Sequence, residues 1–136
     1  MACLGPSGRV SLDSRNICNL CNAERRLPCD RAELATTVVN AFELYYGAHR
    51  SEETAKNLSA VKNLLSVLDL LGMDDASAER PGEALASLER EGRAVDPRDL
   101  FVGCVAVQNG CAVVTNERER FGRIPGLQVL SPSEVE

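Results

Sequence analysis

Asp96-Pro97-Arg98-Asp99, followed downstream by Val113-Val114-Thr115-Asn116-Glu117, Phe121 and Ile124-Pro125-Gly126-Leu127, reads as a helix start, a short apolar strand and a turn. Asp96 is a capping acid, Pro97 takes the first helical position, and Asp99 puts a second acid in the first turn. Gly110 ends that helix, Cys111 to Thr115 is a strand, and Leu127 to Leu130 is a short strand after it. One acid thus opens the helix and another, Glu117, lies just past the strand. Acids at such boundaries are not core residues.

Working outward, Arg9 to Leu12 is a first strand ending at Asp13, and Asn16 to Glu24 a helix with Ile17, Leu20 and Cys21 inward. Leu27-Pro28-Cys29-Asp30 breaks it. The β-branched run Thr36-Thr37-Val38-Val39 is predicted as the second strand. Asn40-x-x-Glu43 has the spacing of a capping box opening the next helix, with Gly47 as its end. Ser51-Glu52-Glu53 starts another helix, with Ala55, Leu58, Val61 and Leu65 at helical spacing, and Ser66 to Leu71 reads as the third strand. Asp74 to Glu91 is helical in pattern, but Pro81-Gly82 should kink or break it, and Gly92 is its cap. Strands alternating with helices imply an α/β fold, a mostly parallel sheet covered on both faces in three α/β/α layers.

The 136 residues suit one domain from residue 9 to 136 behind a short leader, residues 1–8, with a core of Leu, Val and Ala and no Trp. No apolar run approaches the ~18 residues of a membrane span. The start lacks the basic flank and apolar stretch of a signal peptide, so a cytoplasmic protein is expected. Cys18-x-x-Cys21 with Cys29 has a partial zinc spacing, but no second Cys pair follows and the one histidine, His49, is remote. Buried thiols are the better reading of these cysteines. A net charge of −5 argues against a protein that coats nucleic acid. It leaves nucleic acid open as a substrate, because two divalent cations would bring the total to about −1.

In open parallel sheets, ligands bind beyond the C-terminal strand ends. Asp13 ends the first strand, Glu117 follows the fourth, and Glu43 and Asp99 sit in first turns of helices, so four carboxylates can face one edge. Two carboxylates about 4 Å apart repel by roughly 4 kcal/mol at an effective dielectric near 20. Such a cluster needs protons or hard divalent cations, and all-oxygen ligands favour Mg²⁺ or Mn²⁺ over zinc. Plainer readings stand beside this one. Glu43 and Asp99 also read as helix-capping acids, Asp13 as a turn residue, and Glu117 with Glu119 as a solvated run.

The chain also resembles the PIN-domain family, and within it the VapC-type toxin ribonucleases of type II toxin–antitoxin pairs. Leu12-Asp13-Ser14 is similar to the family's opening Asp-Thr-Asn, and Phe42-Glu43-Leu44-Tyr45-Tyr46-Gly47 to its Glu-Leu-Tyr-Tyr-Gly segment. Asp99-Leu100-Phe101-Val102-Gly103-Cys104 resembles Asp-Leu-Leu-Ile-Ala-Ala, and Val113 to Val129 tracks the family's ending. The likeness runs from Val10 to Leu130. It implies Mg²⁺- or Mn²⁺-dependent cleavage of single-stranded RNA, with Asp13, Glu43, Asp99 and Glu117 as catalytic and metal-binding acids. Glu117 falls where many members carry Asp, which leaves Glu119 and Asn116 as rivals for the fourth position. Arg15 stands where the family has Asn.

A metal ion lowers the pKa of its water, so the chemistry needs no histidine, and His49 reads as surface. Arg118, Arg120 and Arg123 read either as phosphate contacts or as a solvated face; Ser14, Thr115 and Asn116 complete the candidate RNA contacts. On this reading Asp99→Asn abolishes cleavage and leaves the fold intact or slightly more stable, by relieving repulsion. The resemblance further implies a small antitoxin that blocks the acidic groove, and a homodimer through the helices between Asn40 and Leu65. Two other folds with early acids fit poorly: a haloacid-dehalogenase-like phosphatase needs an Asp where Arg15 stands, and a receiver domain needs clustered acids and a late Lys. The non-enzymatic alternative is a PIN-like RNA- or protein-binding module without turnover.

Overall fold

The computed structural model describes residues 9–12, 33–122, 124–131 and 133. Strands β1 (Arg9–Leu12), β2 (Glu33–Thr37), β3 (Asp69–Leu71), β4 (Cys111–Val114) and β5 (Val129–Leu130) form a sheet in the order β3-β2-β1-β4-β5. All four pairings are parallel. The chain builds outward from β1 to β3 on one side, then crosses to β4 and β5 on the other. The strand order therefore switches between β1 and β4, where Leu12 is in register with Val114. Asp13, next in sequence to Leu12, lies outside the described residues, as do Ser14, Arg15, Arg123, the helix expected over Asn16 to Glu24, and Cys18, Cys21 and Cys29.

Helices α1 (Val38–Arg50), α2 (Thr54–Ser66), α3 (Asp75–Arg90), α4 (Pro97–Gln108) and α5 (Arg118–Phe121) complete the described chain. β4 is buried along its whole length and shows why the fold has three layers. Its side chains alternate with period two. Cys111 and Val113 join a core with Leu71, Leu88, Leu100, Val105 and Phe121 on one face. Ala112 and Val114 join Leu44, Leu68 and Leu130 on the other, closed over by Val61, Leu64 and Leu65 of α2. Each fully buried Val or Leu contributes roughly 1.5–3 kcal/mol, so β4 anchors both faces.

Several boundaries differ from the expectation. The run Thr36-Thr37-Val38-Val39 is not all strand: β2 stops at Thr37, and Val38 already belongs to α1. The capping box is real but sits three residues earlier, with Thr37 as the cap and Asn40 answering it. Glu43 is therefore in the second turn of α1 rather than the first, and the helix runs past Gly47 to Arg50. β-branching favours a strand at Val38 and Val39, but the side-chain oxygens of Thr37 and Asn40 satisfy backbone donors at the helix start and fix the boundary.

The third strand is shorter than expected, because Ser66 still closes α2 and only Asp69–Leu71 pair with β2. Pro81-Gly82 does not end α3, which continues to Arg90 with Pro81 buried. Strong ends hold that helix on both sides of the missing donor. Asp74 accepts from the Ser77 amide at 2.9 Å. At the other end, Gly92 (φ 72°) and Arg93 donate to Glu89 and Leu88 in a Schellman arrangement. Gly92 and Gly110 (φ 67°) are thus confirmed as helix ends. No helix among the described residues is long and apolar enough to cross a membrane.

Candidate functional site: an acidic edge with two arginines

The site is built where α4 begins and β4 ends. Asp96 caps α4 by accepting from the Arg98 amide at 2.9 Å, and Pro97 occupies the first helical position. This geometry turns Asp99, in the first turn, into the protein, where it is 5% exposed. A carboxylate so buried requires a partner. It has one in Arg120 of α5, whose Nε lies 3.1 Å from each carboxylate oxygen and whose Nη2 also donates to Oδ1. The same guanidinium sends Nη1 to Glu117 Oε2 at 2.6 Å.

Glu117 is held from beneath. Its amide donates to the hydroxyl of Thr115 at 3.0 Å, and the Thr115 amide donates to the Leu130 carbonyl at 2.9 Å. Thr115 is fully buried, directly after β4. The turn out of β4 thereby aims Glu117 at the guanidinium shared with Asp99. Glu117 is the acid that shares a guanidinium with Asp99. Glu119 instead lines, with Asp96, Asp99, Leu100 and Arg120, an adjoining cavity of about 260 Å³.

Glu43 reaches the same corner from α1. Arg98 places Nη1 3.7 Å from Glu43 Oε2 and Nη2 2.9 Å from Asp96 Oδ2, so one guanidinium spans two helices. Bonding to Arg98 pulls the Asp96 carboxyl below its usual range, and the field of Arg120 acts in the same direction. Reciprocally, Asp96 and then Glu43 raise the pKa of Arg98.

The structure thus brings Glu43, Asp99 and Glu117 to one edge, and Asp13 lies outside the described residues. Among the described residues no three His, Cys, Asp or Glu side chains stand close enough together to hold a metal ion. What converges is a pair of carboxylates on one cationic group, with a third acid across Arg98. All the donors are hard oxygens, and a cation already sits between two of them. Carboxylate oxygens of this kind are the ligand type that Mg²⁺ and Mn²⁺ prefer.

Two roles differ from the sequence reading. Arg120 bonds acids instead of forming a solvated face, so the repulsion expected at Asp99 is offset in this state. Arg118, another candidate RNA contact, directs Nη2 to the Val129 carbonyl at 2.7 Å and ties α5 to β5. Arg98 was absent from the sequence-based site; its place between a capping acid and Asp99 was the available signal. Cys104 and Cys111 are buried free thiols; Cys18, Cys21 and Cys29, for which buried thiols are expected, lie outside the described residues.

Comparison with known proteins follows the same outline. The PIN domain matches residues 22–127. The chain is 32% identical over 107 residues to the tRNA(fMet)-specific endonuclease VapC of Shigella flexneri, covering 79% of this chain and 81% of the relative. It is 33% identical over 104 residues to the protein of the same name from Salmonella typhimurium, covering 76% and 79%. The fold is similar to that in the DNA-bound VapBC structure from Salmonella typhimurium, with TM-score 0.76 and 27% identity over 91% of this chain and 98% of the other.

Proposed function

This chain belongs to the PIN domain family, and from that premise we propose that it is a metal-dependent endoribonuclease that cleaves single-stranded RNA as the toxin of a toxin–antitoxin pair. The observation that carries the reading is the convergence of Asp99 and Glu117 on one cationic centre at the end of β4, with Glu43 alongside. Relatives named as VapC endonucleases and a neighbour named VapBC support the activity and a protein partner. A cytoplasmic location and a homodimer belong to the same proposal.

In this reading Asp13, Asp99, Glu117 and Glu43 would hold Mg²⁺ or Mn²⁺, which when bound would supply an activated water at neutral pH and charge opposite the phosphoryl oxygens. The protein supplies the geometry. The cap at Asp96 sets Asp99 in the first turn of α4 and the amide bond to Thr115 sets the backbone of Glu117, so both carboxylates start from fixed positions on the chain. Arg98 holds Glu43 toward α4 and, with its side chain 54% exposed, presents a positive charge suited to a backbone phosphate. Ser14, Thr115 and Asn116 flank the acids in sequence and are the proposed polar contacts to RNA.

The test is cleavage of a labelled single-stranded RNA by purified protein in EDTA, Mg²⁺ and Mn²⁺. Cleavage that requires the cation and is lost in Asp99→Asn supports the proposal. RNA that is retained but never cut would favour the binding-module reading instead.

A further inference from the structure

The Arg120 guanidinium is seated where a cation would be wanted. It makes three bonds to the buried carboxylate of Asp99 and one to Glu117, and it packs 5.3 Å from the ring centre of buried Phe121. Its side chain is 28% exposed, far less than the 54% of Arg98. A phosphate-binding arginine waiting for substrate would present its fork to solvent. This one spends its fork on two acids of its own chain.

We propose that Arg120 is the resident counter-ion of the acidic site, holding Asp99 and Glu117 in the metal-free protein and yielding its place when a divalent cation binds. The inference rests on the metal-dependent reading above and goes beyond it by naming an internal competitor. Two carboxylates directed at one point must share a positive charge. A guanidinium and a divalent ion cannot both occupy the same oxygen lone pairs. Apparent metal affinity is then the intrinsic affinity reduced by the fraction of molecules in which Arg120 has turned away. Because Arg120 reaches the site from a four-residue helix near the surface, the exchange requires a side-chain rotation and leaves the sheet unmoved.

Calorimetric titration with Mn²⁺ tests this on the full chain. Arg120→Gln should bind Mn²⁺ at least tenfold more tightly than the wild type. Arg118→Gln removes the same charge from the same helix, but from a residue bonded to the Val129 carbonyl, and should bind as the wild type does. Equal affinities in the wild type and Arg120→Gln overturn the inference while leaving the metal site standing. Equal tightening in both variants also overturns it, reducing the effect to net charge. Absence of Mn²⁺ binding in every protein overturns the metal-dependent reading itself, and this inference with it.

A second measurement needs no loss of the arginine. The Nε–H resonance of Arg120 in the wild type, assigned by its absence in Arg120→Lys, should exchange slowly without metal. It should move to the position of a solvated arginine as Mg²⁺ is added. A resonance that stays fixed while Mg²⁺ binds elsewhere in the spectrum refutes the exchange.

Discussion

Thr37 and Asn40 cap each other at the junction of β2 and α1: the Asn40 amide donates to Thr37 Oγ1 at 3.2 Å, and the Thr37 amide and hydroxyl donate to Asn40 Oδ1 at 3.2 and 2.8 Å. Both residues are buried, at 0% and 1% exposure. This closed pair sets the direction in which α1 leaves the sheet, and so where Glu43 stands one turn later.

Thr37→Val removes the hydroxyl at nearly constant volume. Loss of a buried cap should cost about 1–2 kcal/mol, while Thr37→Ser, which keeps the oxygen, should cost less. Urea unfolding of the two variants checks the order. Equal loss in both would show that the methyl packing, not the cap, fixes the helix start.

Asp99→Asn should abolish cation-dependent RNA cleavage and, contrary to a count of acids alone, destabilise the metal-free protein. Arg120 already offsets the charge of Asp99, so the neutral amide removes an ion pair instead of a repulsion. Breaking a fully buried pair costs about 3–5 kcal/mol; Arg120 is partly exposed and keeps Glu117, so roughly 1–3 kcal/mol is expected. Melting in EDTA decides it, and a variant more stable than the wild type would discredit the Asp99–Arg120 pair.

These contrasts mark what the sequence reveals. The start of α4 at Asp96-Pro97, the ends at Gly92 and Gly110, and β1 are legible because local chemistry dictates each of them. The edge position of the acids follows from strand and helix boundaries alone. The arginine pairings do not, because Asp99 meets Arg120 only after β4 has been laid beside β1 and α5 folded back over α4. The Val38 and Pro81 corrections share one cause. Single-residue propensity was outweighed, by a reciprocal cap in one case and by a helix anchored at both ends in the other.

Gly103 lies in α4 against the turn after α5. A methyl there would overlap Ile124 Cδ1 and come within 3.2 Å of Leu127 Cδ2. Ala gains up to about 1 kcal/mol of helix propensity over Gly, but overpacking costs about 1–3 kcal/mol. Gly103→Ala should lose about 1 kcal/mol net, and adding Ile124→Val should restore most of it. A stabilised single variant would mean that Ile124 yields without cost.

Acidification should act through Asp96. Its folded pKa is lowered, chiefly by the Arg98 side chain, so its contribution is present above the ordinary carboxylate range and is lost as pH falls through the depressed value. Asp96→Asn retains a good capping oxygen and forfeits the charge. It should melt slightly below the wild type at pH 7, with the gap closing at acid pH. Parallel melting curves across that range would remove Asp96 from the pH response.

The proposed homodimer turns on α1. Phe42 and Tyr46 are 57% and 55% exposed, stacked at 6.2 Å between ring centres, with Arg50 5.3 Å above Tyr46. In a chain of two Tyr and three Phe, so much aromatic surface on successive turns of one helix is a concentration that interfaces favour, since Tyr joins an apolar body to a polar tip. Light scattering at micromolar concentration should give twice the chain mass for the wild type and the single mass for Tyr46→Glu. The circular dichroism of the two should agree, because Tyr46 contributes little to the core. A wild type that is monomeric under these conditions would remove the dimer from the proposal and leave the aromatic pair to face a different protein partner.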